Sequence, residues 1–264
     1  MASRTMTVLV VGATGSIGHL VVEEAVKQGH EVRALVRSAS KARQLAREAR
    51  SIIGDLTRPE TLSAAVDGID AIVFTHGSEG GDKATTEAVD YGVVRNILLA
   101  LGSRRARVAL MTSIGVTNRN SSYNRSTEAH DWKRRSERLV RKSGLPYTIV
   151  RPGWFDYNRS DEHKLLLLQG DKRQSGTPGD GAIARRQLAT VLVRSLNSDQ
   201  AVRKTFELVS TKGPEQGDFN ALFAPLNSDP EDALDGVDDM ANMPLIDEPK
   251  RVLEDLDELR TRRS

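Results

Sequence analysis

The chain has no cysteine. Disulfides, thiolate metal ligands and thiol catalysis are excluded together, and a cytoplasmic home suits such a chain. Long apolar runs are lacking too. The run Leu165 to Leu168 falls far short of the roughly 20 residues a membrane-spanning helix needs, and it reads as a short buried strand. No sign of charge dominates: 38 Lys plus Arg face 36 Asp plus Glu, and the formal charge of +2 gives no long-range field for nucleic acid. The basic stretches at 103–107 and 133–142 are therefore read as solvated helix faces and loops. The first seven residues hold no apolar run before a cleavage site, so no signal peptide is expected. Five histidines are scattered without a metal-ligand constellation, and no metal is expected.

What is present is alternation. Its 264 residues suit one α/β domain plus a tail. Strands are expected at 7–11, 31–36, 51–54, 70–75, 107–112, 147–150 and 205–209, and helices at 16–28, 41–50, 57–66, 85–101, 128–142 and 182–196. That pattern predicts an α/β fold of Rossmann type, a doubly wound parallel sheet with helices on both faces. Residues 1–226 are assigned to this domain, with substrate loops at about 152–181. Residues 227–264 turn acidic and read as a linker followed by a helix at about 249–260, whose apolar stripe is Val252, Leu253, Leu256 and Leu259. Removal of everything after Leu226 is expected to leave cofactor affinity largely intact.

The strongest local signal is Gly12-Ala13-Thr14-Gly15-Ser16-Ile17-Gly18, set between a β-branched run and an amphipathic stretch. Glycines there permit a tight turn and close approach to a pyrophosphate, while a helix N-terminus supplies amide donors and a positive dipole end. Gly12, Thr14, Gly15, Ser16, Ile17 and Gly18 are thus candidate contacts of a dinucleotide. About 20 residues on, where NAD-binding chains place an acidic residue on the ribose, the sequence reads Val36-Arg37-Ser38. No carboxylate occurs between Val36 and Leu45, whereas Arg37, Lys41 and Arg43 are basic. A ribose 2′-phosphate suits that charge, so NADP(H) is expected ahead of NAD(H), with Arg37 as its contact.

Four further segments follow in order: Gly54-Asp55-Leu56, Asp70-Ala71-Ile72-Val73-Phe74, Thr112-Ser113-Ile114-Gly115, and the stretch from Gly144 through Arg151-Pro152-Gly153. Over roughly residues 8–209 the chain resembles the atypical short-chain dehydrogenase/reductases, the group with NmrA-like and biliverdin-reductase-B-like members. The resemblance implies adenine contacts at Asp55 and Leu56. It places a ribose-side loop at Thr75, His76, Gly77 and Ser78, and a loop over the nicotinamide at Pro152, Gly153, Trp154 and Phe155.

It also implies a catalytic pattern in which a Ser after strand five polarises a carbonyl and a Tyr four residues before a Lys supplies the proton. Residues i and i+4 share a helix face, so the ammonium lowers the phenol's pKa. Ser113 and Lys133 fill two of those places, but Ala129 stands where the Tyr belongs. Tyr123, Tyr147 and Tyr157 are followed four residues on by Thr127, Arg151 and Asp161. Other donors are His130, near Lys133 on the expected helix, His76, and Ser113 itself. Ser113, Lys133 and His130 are accordingly the catalytic candidates. Trp132, Ser136, Leu139 and Val140 share a helical face, which makes Trp132 a core residue. Trp154 and Phe155 open the loop-rich region, where exposed aromatics stack on planar acceptors.

The first reading is an NADP(H)-dependent oxidoreductase passing hydride to a small quinone-, flavin- or carbonyl-type acceptor. A non-catalytic NADP(H) sensor of NmrA-like type is the second, favoured by the absent Tyr. A sugar-nucleotide epimerase or dehydratase is a third, opposed by the short region after Gly153. The expected partner is a small-molecule substrate, not nucleic acid or membrane; a homodimer and a regulatory protein partner both stay open.

Overall fold

A computed structural model describes residues 4–43, 45, 48–78 and 80–261. Its strands are β1 (Thr7–Val11), β2 (Glu31–Val36), β3 (Arg50–Ile53), β4 (Ala71–Phe74), β5 (Arg107–Met111), β6 (Tyr147–Pro152), β7 (Trp154–Phe155), β8 (Lys164–Leu168), β9 (Ala182–Ile183) and β10 (Lys204–Thr211). The longer helices are α1 (Gly18–Lys27), α2 (Val93–Leu101), α3 (Ala129–Lys142), α4 (Arg185–Leu196) and α5 (Lys250–Thr261). Eight strands form one sheet in the order β3-β2-β1-β4-β5-β6-β10-β8. All neighbours run parallel except β8, which closes the edge antiparallel to β10. The chain is a doubly wound Rossmann α/β fold, with β7 and β9 in a separate two-stranded ribbon.

Side chains alternate across a strand, so each β-branched run feeds two cores. Val8, Val10, Val73 and Val150 face α1 and α4, while Leu9, Val11, Ile72 and Ile149 face α2, α3 and α5. Each such side chain contributes about 1.5–3 kcal/mol of burial. Val252, Leu256 and Leu259 bring α5 into the second core; Leu253, expected beside them, is exposed.

Several expected elements are redrawn. The helix at 57–66 divides into a 3₁₀ turn, Pro59–Thr61, and Ser63–Val66, because the Thr61 hydroxyl bonds the carbonyls of Asp55 and Arg58 and competes with the helical ladder. The helix at 41–50 falls partly on residues 44, 46 and 47, outside the described residues; what is described there is a one-turn α-helix, Ala39–Ala42. A helix does begin at Lys83–Thr86, but it runs through a π-helical stretch, Glu87–Gly92, before α2. β8 is a half-buried edge strand and not a buried one. Among the described residues no helix is long and apolar enough to cross a membrane.

The largest departure concerns α3. Its Arg134, Arg135, Arg138 and Arg141 are buried, not solvated. The acidic stretch expected as a linker lies along the helix and supplies their counterions. Asp235 bonds Arg134 at 3.0 Å and Arg138 at 2.7 Å, Glu248 bonds Arg135 at 2.6 Å and Arg138 at 2.7 Å, and Asp229 bonds Arg141 at 3.1 Å. Buried Arg151 on β6 joins the same lattice, held by Glu137 at 2.7 Å and by both oxygens of Asp239 at 2.7 Å. Local composition could not reveal this, since the partners lie about 90–110 residues apart in sequence.

Two outcomes follow from that lattice. Asp239→Ala leaves the Arg151 guanidinium buried and short of a partner, and a loss of about 3–5 kcal/mol in urea unfolding is expected. Truncation after Leu226 removes Asp229, Asp235, Asp239 and Glu248 at once and should abolish folding, contrary to the expectation from sequence; circular dichroism showing a cooperatively folded truncated chain would refute it. Glu207 gives a pH signature. Burial, opposed by an Arg151 already shared with two other carboxylates and reinforced by Asp171, pushes its carboxyl up to about 7. The folded state therefore keeps a proton that the unfolded chain releases near 4.5, and stability from this group falls as pH rises from about 4.5 to 7. Glu207→Gln should flatten that fall, read as urea midpoints at the two ends of the window.

Candidate cofactor and active site

β1 ends at Val11 and the chain turns at Gly12, whose φ of +86° suits glycine. A β-carbon on Gly12 would lie 2.8 Å from the His76 backbone nitrogen, and one on Gly18 would lie 2.0 Å from the Gly12 carbonyl oxygen. Glycine at both places lets the turn, the end of β4 and the start of α1 close on one another. The Gly15 amide donates to the Gly12 carbonyl at 2.9 Å, leaving Thr14, Gly15 and Ser16 exposed above buried Ile17. The first turn of α1 carries no acidic residue to compete with an anion.

Beside this turn the ends of β2 and β3 are joined by the Gly54 amide donating to Val36 at 3.1 Å. Arg37 is exposed there with no carboxylate at ion-pair distance among the described residues, and it lies within electrostatic reach of Asp55. The Asp55 carboxylate accepts from the Thr57 hydroxyl at 2.7 Å and amide at 2.9 Å, which holds it below the usual range. Leu56 is half-buried, and its carbonyl accepts from Asn96 at 2.8 Å. The expected adenosine-side residues are thus brought to one edge.

On the other side of the sheet centre, Ser113 follows β5, half-buried and without a hydrogen-bond partner among the described residues. Its loop is fixed two residues on. Buried Asp171 accepts from the Gly115 amide at 2.6 Å, the Thr117 amide at 2.7 Å and the Thr117 hydroxyl at 2.8 Å. Lys133 is no free surface charge: its Nζ pairs with Asp90 at 2.8 Å. Asp90, nearly buried in the π-helical stretch, also accepts from the Ser78 amide at 3.1 Å and hydroxyl at 2.8 Å. Burial pulls His76 down to about 4, against the opposing pull of Asp90, so the ring is neutral near pH 7. Its Nδ1 has no partner among the described residues. Gly77 completes this loop, exposed next to Asp90.

His130 lies at the Ser113 loop, with Cε1 3.8 Å from where a β-carbon on Gly115 would stand and Nδ1 3.3 Å from the Asn118 carbonyl. Burial lowers its pKa as well. Ala129, in the place of the Tyr, is fully buried. Sequence spacing passed over two residues that the fold brings here. Asp90 lies on a helix whose phase the π turn shifts, and Tyr123, on the short helix Ser122–Thr127, packs edge-on against His130 with centroids 5.3 Å apart. Burial and Asp90 raise the Tyr123 hydroxyl, which stays protonated at neutral pH.

Pro152 ends β6, and Gly153 links it to β7. A β-carbon on Gly153 would come within 2.4 Å of the Gly181 carbonyl, so glycine allows β7 to pair with β9. Trp154 projects from this ribbon part-exposed, whereas Phe155 packs against the first core under the Arg185 guanidinium, 5.0 Å from its ring centre. Phe155 is therefore a support and not an open stacking face.

A dinucleotide fits these residues on the structure's own terms: a glycine turn that excludes β-carbons, an acid-free helix start, and an unpartnered His76 nitrogen along the same sheet edge. Comparison with known proteins agrees. The family model described as NAD(P)H-binding matches residues 12–199. An uncharacterized chloroplastic protein of Arabidopsis thaliana is 30% identical over 252 residues, covering 86% of this chain and 77% of its own. Sanguinarine reductase of Eschscholzia californica is 26% identical over 270 residues, 86% of this chain and 98% of its own. Among solved structures, a Bacillus halodurans protein described as a candidate NAD-dependent epimerase/dehydratase superposes with a TM-score of 0.69 at 24% identity, covering 83% of this chain and 98% of that one. A glycine turn built this way at the centre of a doubly wound sheet, and a family match across most of the chain, lead to one conclusion: the chain belongs to the NAD(P)H-binding family of Rossmann proteins.

Proposed function

We propose that this member of an NAD(P)H-binding oxidoreductase family uses NADP(H) and reduces a small quinone-, flavin- or carbonyl-type acceptor. The observation that carries the reading is the half-buried Ser113 hydroxyl at the sheet edge, without a hydrogen-bond partner among the described residues, in a loop that Asp171 fixes within a few residues. Thr14, Gly15 and Ser16 would offer amides to the pyrophosphate, Arg37 would meet the 2′-phosphate, and Lys133 would bind ribose hydroxyls. The nicotinamide, when bound, supplies the hydride. Ser113 donates a hydrogen bond to the oxygen on which negative charge develops, and its fixed loop means little reorganisation is needed.

Burial keeps His130 neutral, so it serves poorly as an imidazolium acid near pH 7. Lys133, paired with Asp90, has its charge offset and positions cofactor more than it tunes a phenol. That same pairing, together with Ala129, favours the second reading, an NADP(H)-binding sensor without turnover. The cytoplasmic home expected from the sequence remains a proposal; the Arabidopsis relative is chloroplastic.

Calorimetry tests the cofactor assignment: NADP(H) should bind about tenfold or more tightly than NAD(H), and Arg37→Ala should erase most of that ratio. Equal affinities in the parent protein, or an unchanged ratio in the variant, would remove Arg37 from the site. Steady-state kinetics with a carbonyl acceptor tests the chemistry. Ser113→Ala should lower kcat by about 10²-fold, while Lys133→Ala should mainly weaken NADPH binding. Full activity in Ser113→Ala with none in His130→Ala would shift the donor to His130. Tight NADPH binding with no turnover of quinones, flavins or aldehydes would instead support the sensor.

A further inference from the structure

Glu207 joins the buried charge lattice to the loop that carries Ser113. It stands on β10 and is buried, with each oxygen committed to a different neighbour. One takes the Arg151 guanidinium at 3.3 Å, which Glu137 and Asp239 already hold more closely, each at 2.7 Å. The other accepts from the Asp171 amide at 3.2 Å.

Asp171 passes the contact on. It and Gly170 both have left-handed backbone, with φ of +47° and +88°, and they bend the chain after β8. The residue thereby meets Glu207 through its amide and the loop after β5 through its carboxylate, which accepts from the Gly115 and Thr117 amides and the Thr117 hydroxyl. Gln174 closes the unit, donating to the Asp171 carbonyl at 2.7 Å and to the Thr117 hydroxyl at 2.6 Å. Ser113 lies two residues before Gly115.

Charge around Glu207 is unbalanced. Arg151 on β6 is the cation that faces it, whereas Asp171, Asp239 and, across the shared guanidinium, Glu137 on α3 are all acidic. β8, the other neighbour of β10, sets Leu168 opposite it. Burial, opposed by Arg151 and reinforced by Asp171, accordingly pushes its carboxyl up to about 7. Ionisation there adds a buried negative charge that no further cation offsets. Moving Asp171 away relieves it, and Asp171 cannot move without releasing the Gly115 and Thr117 amides.

We propose that Glu207 is a positioning residue for Ser113: with its proton in place it holds Asp171 against the loop after β5, and on losing the proton it lets that loop open. The proposal rests on the reductase reading for the role of Ser113, but not for the coupling itself. The closed loop keeps a proton that an opened one releases more readily, so opening is favoured as pH rises from the ordinary value of 4.5 through about 7.

Amide hydrogen exchange on the full chain reads the loop directly. Corrected for intrinsic rate, protection at Gly115, Thr117 and Asp171 should fall about tenfold or more between about pH 5 and about pH 8. The Gly54 amide, at the opposite edge of the sheet, should keep its protection. Glu207→Gln retains an oxygen for the Asp171 amide and has no proton to lose, so loop protection in that variant should stay flat. Flat loop protection in the parent protein, or a fall that persists in Glu207→Gln, overturns the proposal. The parent measurement decides alone if the variant does not fold. NADPH-dependent turnover of a carbonyl acceptor, followed over the same range, keeps the two readings apart: kcat should fall with loop protection in the parent and not in Glu207→Gln. Falling protection in a protein that turns over no acceptor leaves the coupling standing and removes the reductase; turnover with flat protection does the reverse.

Discussion

The structure depends on one buried arginine, Arg151, and the lattice of charge around it. Its guanidinium is shared by Glu137 on α3, Asp239 on the C-terminal segment and, at 3.3 Å, Glu207 on β10. Ions out of water are tolerated only when geometry and hydrogen bonds compensate desolvation. Here Glu137 accepts from Arg151, from Arg141 and from the Thr112 hydroxyl, so the carboxylate is saturated and held below its usual range despite complete burial. Such a lattice adds little stability over well-packed hydrocarbon, but removing any one member leaves another charge stranded. Its effect is to dictate one arrangement of α3, β6, β10 and the acidic segment.

That arrangement reaches the candidate site. α3 carries Lys133 and His130 on its first turns, and its last turns are bound to the acidic segment. Asn242 of that segment donates to the Thr117 carbonyl at 2.9 Å and accepts from Arg119 at 2.8 Å through its own carbonyl. Thr117 is in turn bonded to Asp171. The loop after β5, which carries Ser113, is therefore fixed from two directions by chain that lies far away in sequence. The placement of this loop is a consequence of Asp171 and the acidic C-terminal segment and not of the glycine-rich half alone.

The Lys133–Asp90 pair states the chemistry of the missing Tyr in another form. An ammonium lowers a neighbouring phenol's pKa only if its charge is not already offset. With Ala129 in the Tyr place and Asp90 on the Lys, both halves of the usual couple are changed together. The π-helical stretch is what presents Asp90, by adding a residue to the turn, and such stretches recur at functional sites. Two neutral imidazoles and a protonated Tyr123 surround the result. On the proposed reductase reading, such surroundings would favour acceptors that take hydride with little proton assistance.

Local pattern in the sequence determined the sheet, because β-branched runs and helical spacing are short-range signals. Gly12 to Gly18 between β1 and α1 and Arg37 at the end of β2 were legible from residue type and place, and Ser113 after β5 from the family resemblance. Distance in sequence hid the rest. The arginines of α3 read as a solvated face and the segment from Asp229 to Glu248 as a linker, since neither stretch contains its own partner. The same holds for Asp90 on Lys133 and for Tyr123 against His130. Hydrophobic period is written along the chain, whereas the pairing of a charge depends on which distant segment folding sets against it, and only the tertiary structure decided that.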